Sequence, residues 1–210
     1  MATESELTAD ETSGGGLAPA PAPGRLIVLS GASGSGKSTI VDRLLADHPK
    51  LPVRRSISTT TRAPRPGEIP GVHYDFVSKA EFAAGRDRGQ YLEWAEVHDQ
   101  YYGTSVEPVT RFRAQGLSVI LVIDVQGAFI VRDKVPDAVL IFVQAPSLAI
   151  LEQRLRDRLT DDEATIELRL NNARREIALA DRYDIQITND QLDRAVHELA
   201  QILQSDPPGA

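Results

Sequence analysis

The residues whose types and spacing most plainly serve chemistry are Gly31-Ala32-Ser33-Gly34-Ser35-Gly36-Lys37-Ser38-Thr39. Gly31, Gly34 and Gly36 let the backbone curl so that successive N–H groups converge on one point, as a phosphate group requires. Lys37 can reach phosphate oxygens as a compact positive charge. Ser38 offers a hydroxyl to the Mg2+ that accompanies them. The flanks fit this reading. The apolar run Leu26-Ile27-Val28-Leu29-Ser30 precedes the loop, and the amphipathic stretch Ile40-Val41-Asp42-Arg43-Leu44-Leu45 follows it. A buried strand, a glycine-rich turn and a helix start are therefore contiguous, and the helix adds its positive N-terminal end.

A second candidate is Asp124, which closes the apolar run Val119-Ile120-Leu121-Val122-Ile123. Continuous apolarity suits a central parallel strand covered on both faces. An acid at its C-terminal end falls where such sheets gather their ligands. Asp124 can hold Mg2+ there, directly or through water; it can equally cap the turn at Gln126-Gly127. A third group lies between these two. Arg62 and Arg65 stand three residues apart beside Pro64 and Pro66, a fixed mount that could aim two guanidinium forks at one phosphate. Tyr74 and Tyr102 offer phenolic hydroxyls. Glu93 sits in the aromatic and apolar segment Tyr91-Leu92-Glu93-Trp94-Ala95, in which Tyr91 and Trp94, like the later Tyr101, read as packing or surface residues.

The elements that must position these groups follow from pattern. A helix over about 37–47 ends at His48-Pro49, and Val53–Ser58 is extended. The proline-punctuated stretch Ser58–Glu68 cannot be regular helix. Short strands at His73–Val77 and Tyr91–Val97 flank a helix near 79–86, so that about 57–107 forms a small inserted lobe. Val139–Val143 is a second central strand, and Ser147 caps a helix running to about 157. A long helix carries Ile166, Leu170, Ala173 and Ile177 at helical spacing, and the arginines and acids around it read mostly as a solvated ion-pair face. Asp184–Thr188 is a strand, and the last helix, about 191–203, aligns Leu192, Val196, Leu199 and Leu203. Alternating strands and helices predict an α/β fold, a right-handed, mostly parallel doubly wound sheet of about five strands.

Composition bounds the rest. A net charge of −7 with no basic block argues against nucleic-acid or anionic-membrane partners. With no cysteine there is neither a disulfide framework nor a thiolate zinc site. His48, His73, His98 and His197 lack metal-ligand spacing. No apolar run approaches the ~18 residues of a membrane span. Residues 1–24, acidic and then rich in Gly, Pro and Ala, resemble neither a signal peptide nor a transit peptide. They read as a disordered tail, 206–210 as a flexible C-terminus, and the protein as cytoplasmic.

Taken together, the chain resembles the guanylate kinases, P-loop nucleoside monophosphate kinases. The resemblance spans residues 25–204. It rests on the glycine-rich loop, Ser58 to Arg65-Pro66-Gly67-Glu68, Gly71-Val72-His73-Tyr74-Asp75-Phe76-Val77, Leu92-Glu93-Trp94-Ala95, Tyr102-Gly103-Thr104, Ile123-Asp124-Val125-Gln126-Gly127, Arg154 to Arg169-Leu170, and Asn189-Asp190. It implies a three-layer P-loop domain over 25–205. The core would be 25–56, 108–153 and 171–205, with a GMP-binding lobe at about 57–107 and a lid at about 154–170. The implied reaction is direct in-line transfer of phosphate from MgATP to GMP and dGMP, in purine nucleotide metabolism. ATP and GMP are the only partners implied, and Mg2+ the only metal, held by Ser38 and Asp124. ATP would lie on Gly31 to Thr39, with Asn189 and Asp190 near the adenine, although these two read equally well as an N-cap for the last helix. GMP phosphate would meet Arg62, Arg65, Tyr74 and Tyr102, and guanine would meet Ser58, Glu93 and Thr104. Lys37, Arg65, Arg158 and Arg169 would carry catalysis, the last two as lid arginines.

Three positions depart from the usual family pattern: Ala32 for proline, Leu159 for glycine or asparagine, and Val122 for a second acid two residues before Asp124. Two other readings share the scaffold. A kinase for a phosphorylated sugar such as ribose 1,5-bisphosphate would not need Ser58, Glu93 and Thr104. A protein-binding relative would not need an intact phosphate loop.

Overall fold

The computed structural model describes residues 22–97, 99–157 and 162–205. Its main sheet has the order β2-β7-β1-β8-β9, with every neighbouring pair parallel. The strands are β1 (Leu26–Ser30), β2 (Val53–Arg55), β7 (Ser118–Val122), β8 (Val139–Gln144) and β9 (Ile185–Thr188). The continuous apolar runs are explained by the two faces of this sheet. Ile27 and Leu29 pack with Ile40, Val41 and Leu44 of α1 (Lys37–Asp47) and with Val196 and Leu199 of α7 (Leu192–Gln204). Leu26 and Val28, one residue out of phase, pack with Val109 of α3 (Val106–Ala114) and with Val125, Ala128 and Val131 of α4 (Val125–Lys134). Successive strand residues face opposite sides, so a strand buried on both sides has no polar positions to spare.

Between β2 and β7 the chain builds a second sheet of order β4-β3-β6-β5. It comprises β3 (Ser58–Thr60), β4 (Tyr74–Phe76), β5 (Tyr91–Val97) and β6 (Gln100–Ser105), with α2 (Lys79–Asp87) against one face. The sequence reading lacked four of these elements, β3, β6, α3 and α4; its single extended segment over Val53–Ser58 divides into β2 and β3, which belong to different sheets. It also ran the central strand that begins at Val119 on to Ile123-Asp124, whereas β7 ends at Val122 and Asp124 is the N-cap of α4. Two further helices complete the chain. In α5 (Leu148–Arg156), Ser147 accepts from the Ile150 N–H, the cap expected of it. In α6 (Glu163–Ile177), Asp162 does the same for Thr165. Arg158 and Leu159 lie outside the described residues. No helix among the described residues is long and apolar enough to cross a membrane.

Candidate active site

The glycine-rich loop leaves β1 at Ser30 and enters α1 at Lys37. Gly31 (φ 135°), Gly34 (φ 89°) and Gly36 (φ 94°) all lie in the left-handed region. At Gly31 a Cβ would stand 2.1 Å from the Val143 carbonyl oxygen, so only glycine fits between the two strands. The Lys37 ammonium donates to the carbonyls of Gly31 (2.5 Å) and Ala32 (3.0 Å), inside the curl of the loop. Ser33, Ser38 and Thr39 are exposed, whereas Ala32 and Ser35 are buried.

The register of the second sheet aligns the other candidates. Tyr74 on β4 pairs with Ser58 on β3, Ser58 with Thr104 on β6, and Thr104 with Glu93 on β5. Directly paired residues share a face, so these four form one row across four strands. Tyr102 and Ala95, two residues along, share that face. Between Tyr91 and Glu93 the register slips, because β5 carries a bulge. Two residues apart on a regular strand, they would face the same way. The bulge instead sends Tyr91 to the opposite side, where it stacks on Phe82 of α2 at 4.4 Å, while Glu93 faces the row. Tyr101 also stacks on Phe82, and the half-exposed Trp94 lies edge-on to Tyr101, so all three aromatics pack the back of the sheet.

Both halves open onto one cavity of about 350 Å³. Gly31, Ser33 and Lys37 line one side; Ser58, Tyr74, Glu93 and Tyr102 line the other; Val122, Asp124 and Glu176 close the floor. It sits at the C-terminal ends of β1 and β7, where an open α/β sheet binds ligands. Glu93 is 4% exposed and accepts from the Thr104 hydroxyl at 2.5 Å. Burial raises its pKa to about 7; the Thr104 bond opposes the shift, and the nearby charge of Asp124 adds to it. Asp124 accepts from the Gly127 N–H at 2.7 Å, so its capping role is fulfilled while it lines the cavity. Arg62 makes a two-pronged pair with Glu68 (2.8 and 2.9 Å) and lies 5.4 Å over the Tyr74 ring. Glu68 also accepts from the Arg65 N–H at 2.7 Å. These bonds hold the Glu68 carboxyl down at about 2, the Arg62 guanidinium foremost. The Arg65 side chain is exposed, and Arg169 lies half-buried on α6.

Sequence reasoning missed two of these acids. Glu68 lies in the segment from Ser58 to Glu68, where its sequence context assigns it no role, and it braces the Arg62–Arg65 loop. Glu176, placed in the solvated face, instead lines the cavity with Lys37 and Asp124. Burial foremost raises its pKa, and Lys37 pulls it back. The signal was available: Glu176 follows Ala173 by three residues and so lies beside the apolar stripe of α6. Asn189 and Asp190 do not cap α7, whose N-cap is Gln191. Asp190 pairs with Arg194 at 2.7 Å.

A glycine-rich loop closing the first parallel strand, facing a second sheet across one cavity, defines a P-loop enzyme of the nucleotide kinase class. The guanylate kinase family model matches residues 23–206. The chain is 48% identical to a guanylate kinase of Thermosynechococcus vestitus, over 90% of this chain and 97% of that protein. It is 47% identical to one of Rubrobacter xylanophilus, over 86% and 94%. The crystal structure of guanylate kinase from Anaplasma phagocytophilum superposes with a TM-score of 0.73 at 31% identity, covering 90% of this chain and 89% of that one. The chain belongs to the guanylate kinase family, kinases that phosphorylate GMP to GDP with ATP and a divalent metal.

Proposed function

We propose that the chain transfers the γ-phosphoryl group of ATP directly to GMP and dGMP, within purine nucleotide metabolism. The observation that carries this reading is the row Tyr74–Ser58–Thr104–Glu93 facing Lys37 across one cavity. Guanine presents two adjacent donors, N1–H and the 2-amino group, and a carboxylate matches both. Adenine presents an unprotonated N1 and no 2-amino group, so the same carboxylate would be left buried and unpaired. Ser58 and Thr104 complete the base contacts in this reading. Arg62, Arg65, Tyr74 and Tyr102 grip the acceptor phosphate, Arg62 exchanging part of its pairing with Glu68 for it.

On the donor side, residues Gly31 to Thr39 cradle the ATP phosphates, with Asn189 and Asp190 beyond them. Lys37 carries the charge that meets the transferring group, and Arg158 and Arg169 supply more from the lid. Ser38 and Asp124 are oxygen donors suited to Mg2+, which shields phosphate charge when bound. Among the described residues no group of three or more His, Cys, Asp or Glu could hold a metal. The acceptor phosphate oxygen attacks the γ-phosphorus in line with the departing ADP, and the protein contributes position and charge rather than a covalent intermediate.

The test is ADP release from MgATP with GMP, dGMP, AMP, UMP and ribose 1,5-bisphosphate offered in parallel. Turnover confined to GMP and dGMP is expected. Turnover with the sugar phosphate, or a folded sample that turns over none of the acceptors, would overturn the reading.

A further inference from the structure

The motif Asn189-Asp190 offers more than its proximity to the donor site, because the Asn189 side chain is committed elsewhere. It is 6% exposed, and its amide Nδ2 donates to the Ser35 carbonyl at 2.8 Å. Ser35 is a buried residue of the glycine-rich loop, and the next one, Gly36, is the N-cap of α1. A Cβ on Gly36 would stand 2.2 Å from Asn189 Nδ2, so this bond forms only over a glycine. Asn189 is itself fixed from two sides. Its N–H donates to the Gln144 carbonyl at the end of β8 (2.8 Å), and its own carbonyl accepts from Arg154 Nη2 of α5 (2.9 Å). On the other flank, a Cβ on Gly34 would come within 3.2 Å of Leu151 and Leu155, also on α5.

We propose that Asn189 is a positioning residue that locks the phosphate-binding loop from below, through the Ser35 carbonyl, rather than a reader of the adenine base. The physical reason is orientation. A peptide whose carbonyl is held by Asn189 has its opposite edge, the Gly36 N–H, fixed in direction, and phosphate binding to such a loop depends on converging N–H groups. The amide donor, not the amide oxygen, does this work. The proposal rests on the reading that the loop binds ATP phosphates.

Asn189→Asp and Asn189→Ala separate the two roles. Aspartate keeps the shape and an acceptor oxygen, which is what the adenine 6-amino group would need, but sets an oxygen against the Ser35 carbonyl. Binding of MgATP and of Mg-tripolyphosphate, which has no base, is measured by calorimetry or by competition, with GMP binding as the control for an intact second sheet. The lock requires both variants to lose affinity for both ligands by one common factor, roughly fivefold to tenfold for one hydrogen bond, with GMP affinity unchanged. It also requires faster amide hydrogen exchange at residues 33–36 in the unliganded Asn189→Ala protein, a readout independent of any ligand and of whether the aspartate variant folds. Weakened MgATP with unchanged tripolyphosphate, or unaltered exchange, overturns the proposal. Failure of the unsubstituted protein to bind MgATP would instead overturn the functional reading beneath it.

Discussion

In the proposed reading, recognition and protonation meet at Glu93. Its carboxyl is pushed up to about 7, by burial first, with Asp124 raising it and Thr104 and Lys134 lowering it, so the protonated form is populated in the free protein at neutral pH. Guanine donors require the ionised form. Binding of GMP at pH 7 should therefore release protons from the unsubstituted protein and fewer from Glu93→Gln, measurable by calorimetry in two buffers of different ionisation enthalpy. Proton uptake, or no exchange, would contradict the assignment. Lys37 makes a second residue-scale case. Its Nζ closes the loop on Gly31 and Ala32. Lys37→Ala should abolish turnover, by at least ~10²-fold given the charge it brings to the transferring group, with an unchanged circular dichroism spectrum. Both residues were legible in the sequence, Lys37 from its fixed spacing and Glu93 from the family resemblance. Glu68 was not, because its partner Arg62 looked already assigned to a phosphate.

Among the elements, α4 and β5 show how much depends on one contact. Gly127 sits inside α4, where alanine would ordinarily favour the helix by about 1 kcal/mol. Here a Cβ would come 2.8 Å from Glu93 Oε2. Gly127→Ala should thus leave thermal stability nearly unchanged while displacing the carboxylate and raising KM for GMP, with KM for ATP unaffected; equal shifts in both would mean a general disturbance. The sequence did not disclose α4. Val125, Gly127, Ala128 and Val131 are its buried positions, and a short helix with a glycine in its first turn presents a weak apolar stripe. β6 was missed for a related reason. Tyr101-Tyr102-Gly103-Thr104 alternates between a packing face and a site face that are both polar or aromatic, so period-two hydrophobicity is absent. The bulge beside Glu93 is likewise set by the partner strand and has no local signature. β1, α1, β8 and α7 were read almost to the residue, since each buries an unbroken or strictly periodic apolar set.

For the whole molecule, the proposed function divides the labour between two sheets: the parallel one carries the glycine-rich loop, and the smaller one carries the row that would read the base. Their acids pull stability in opposite directions with pH. Glu68, held at about 2 in the folded state, contributes stability that is complete above the ordinary glutamate value near 4.5 and is lost as pH falls toward 2. Glu93, raised to about 7, does the reverse: as pH rises from 4.5 to 7 the unfolded chain ionises this carboxyl while the buried one keeps its proton, so the folded state loses stability. Melting temperatures of Glu68→Gln and Glu93→Gln relative to the unsubstituted protein should therefore diverge at pH 8, the first lower and the second higher; a Glu93→Gln protein less stable at pH 8 would contradict the sign. The central claim, that one buried carboxylate on the small sheet selects guanine for a phosphoryl group delivered by the large one, is tested most directly by steady-state kinetics of Glu93→Gln with each substrate varied. The expected result is a fall in kcat/KM for GMP of at least ~10²-fold with KM for ATP unchanged. Equal losses on both substrates, or none on GMP, would contradict it.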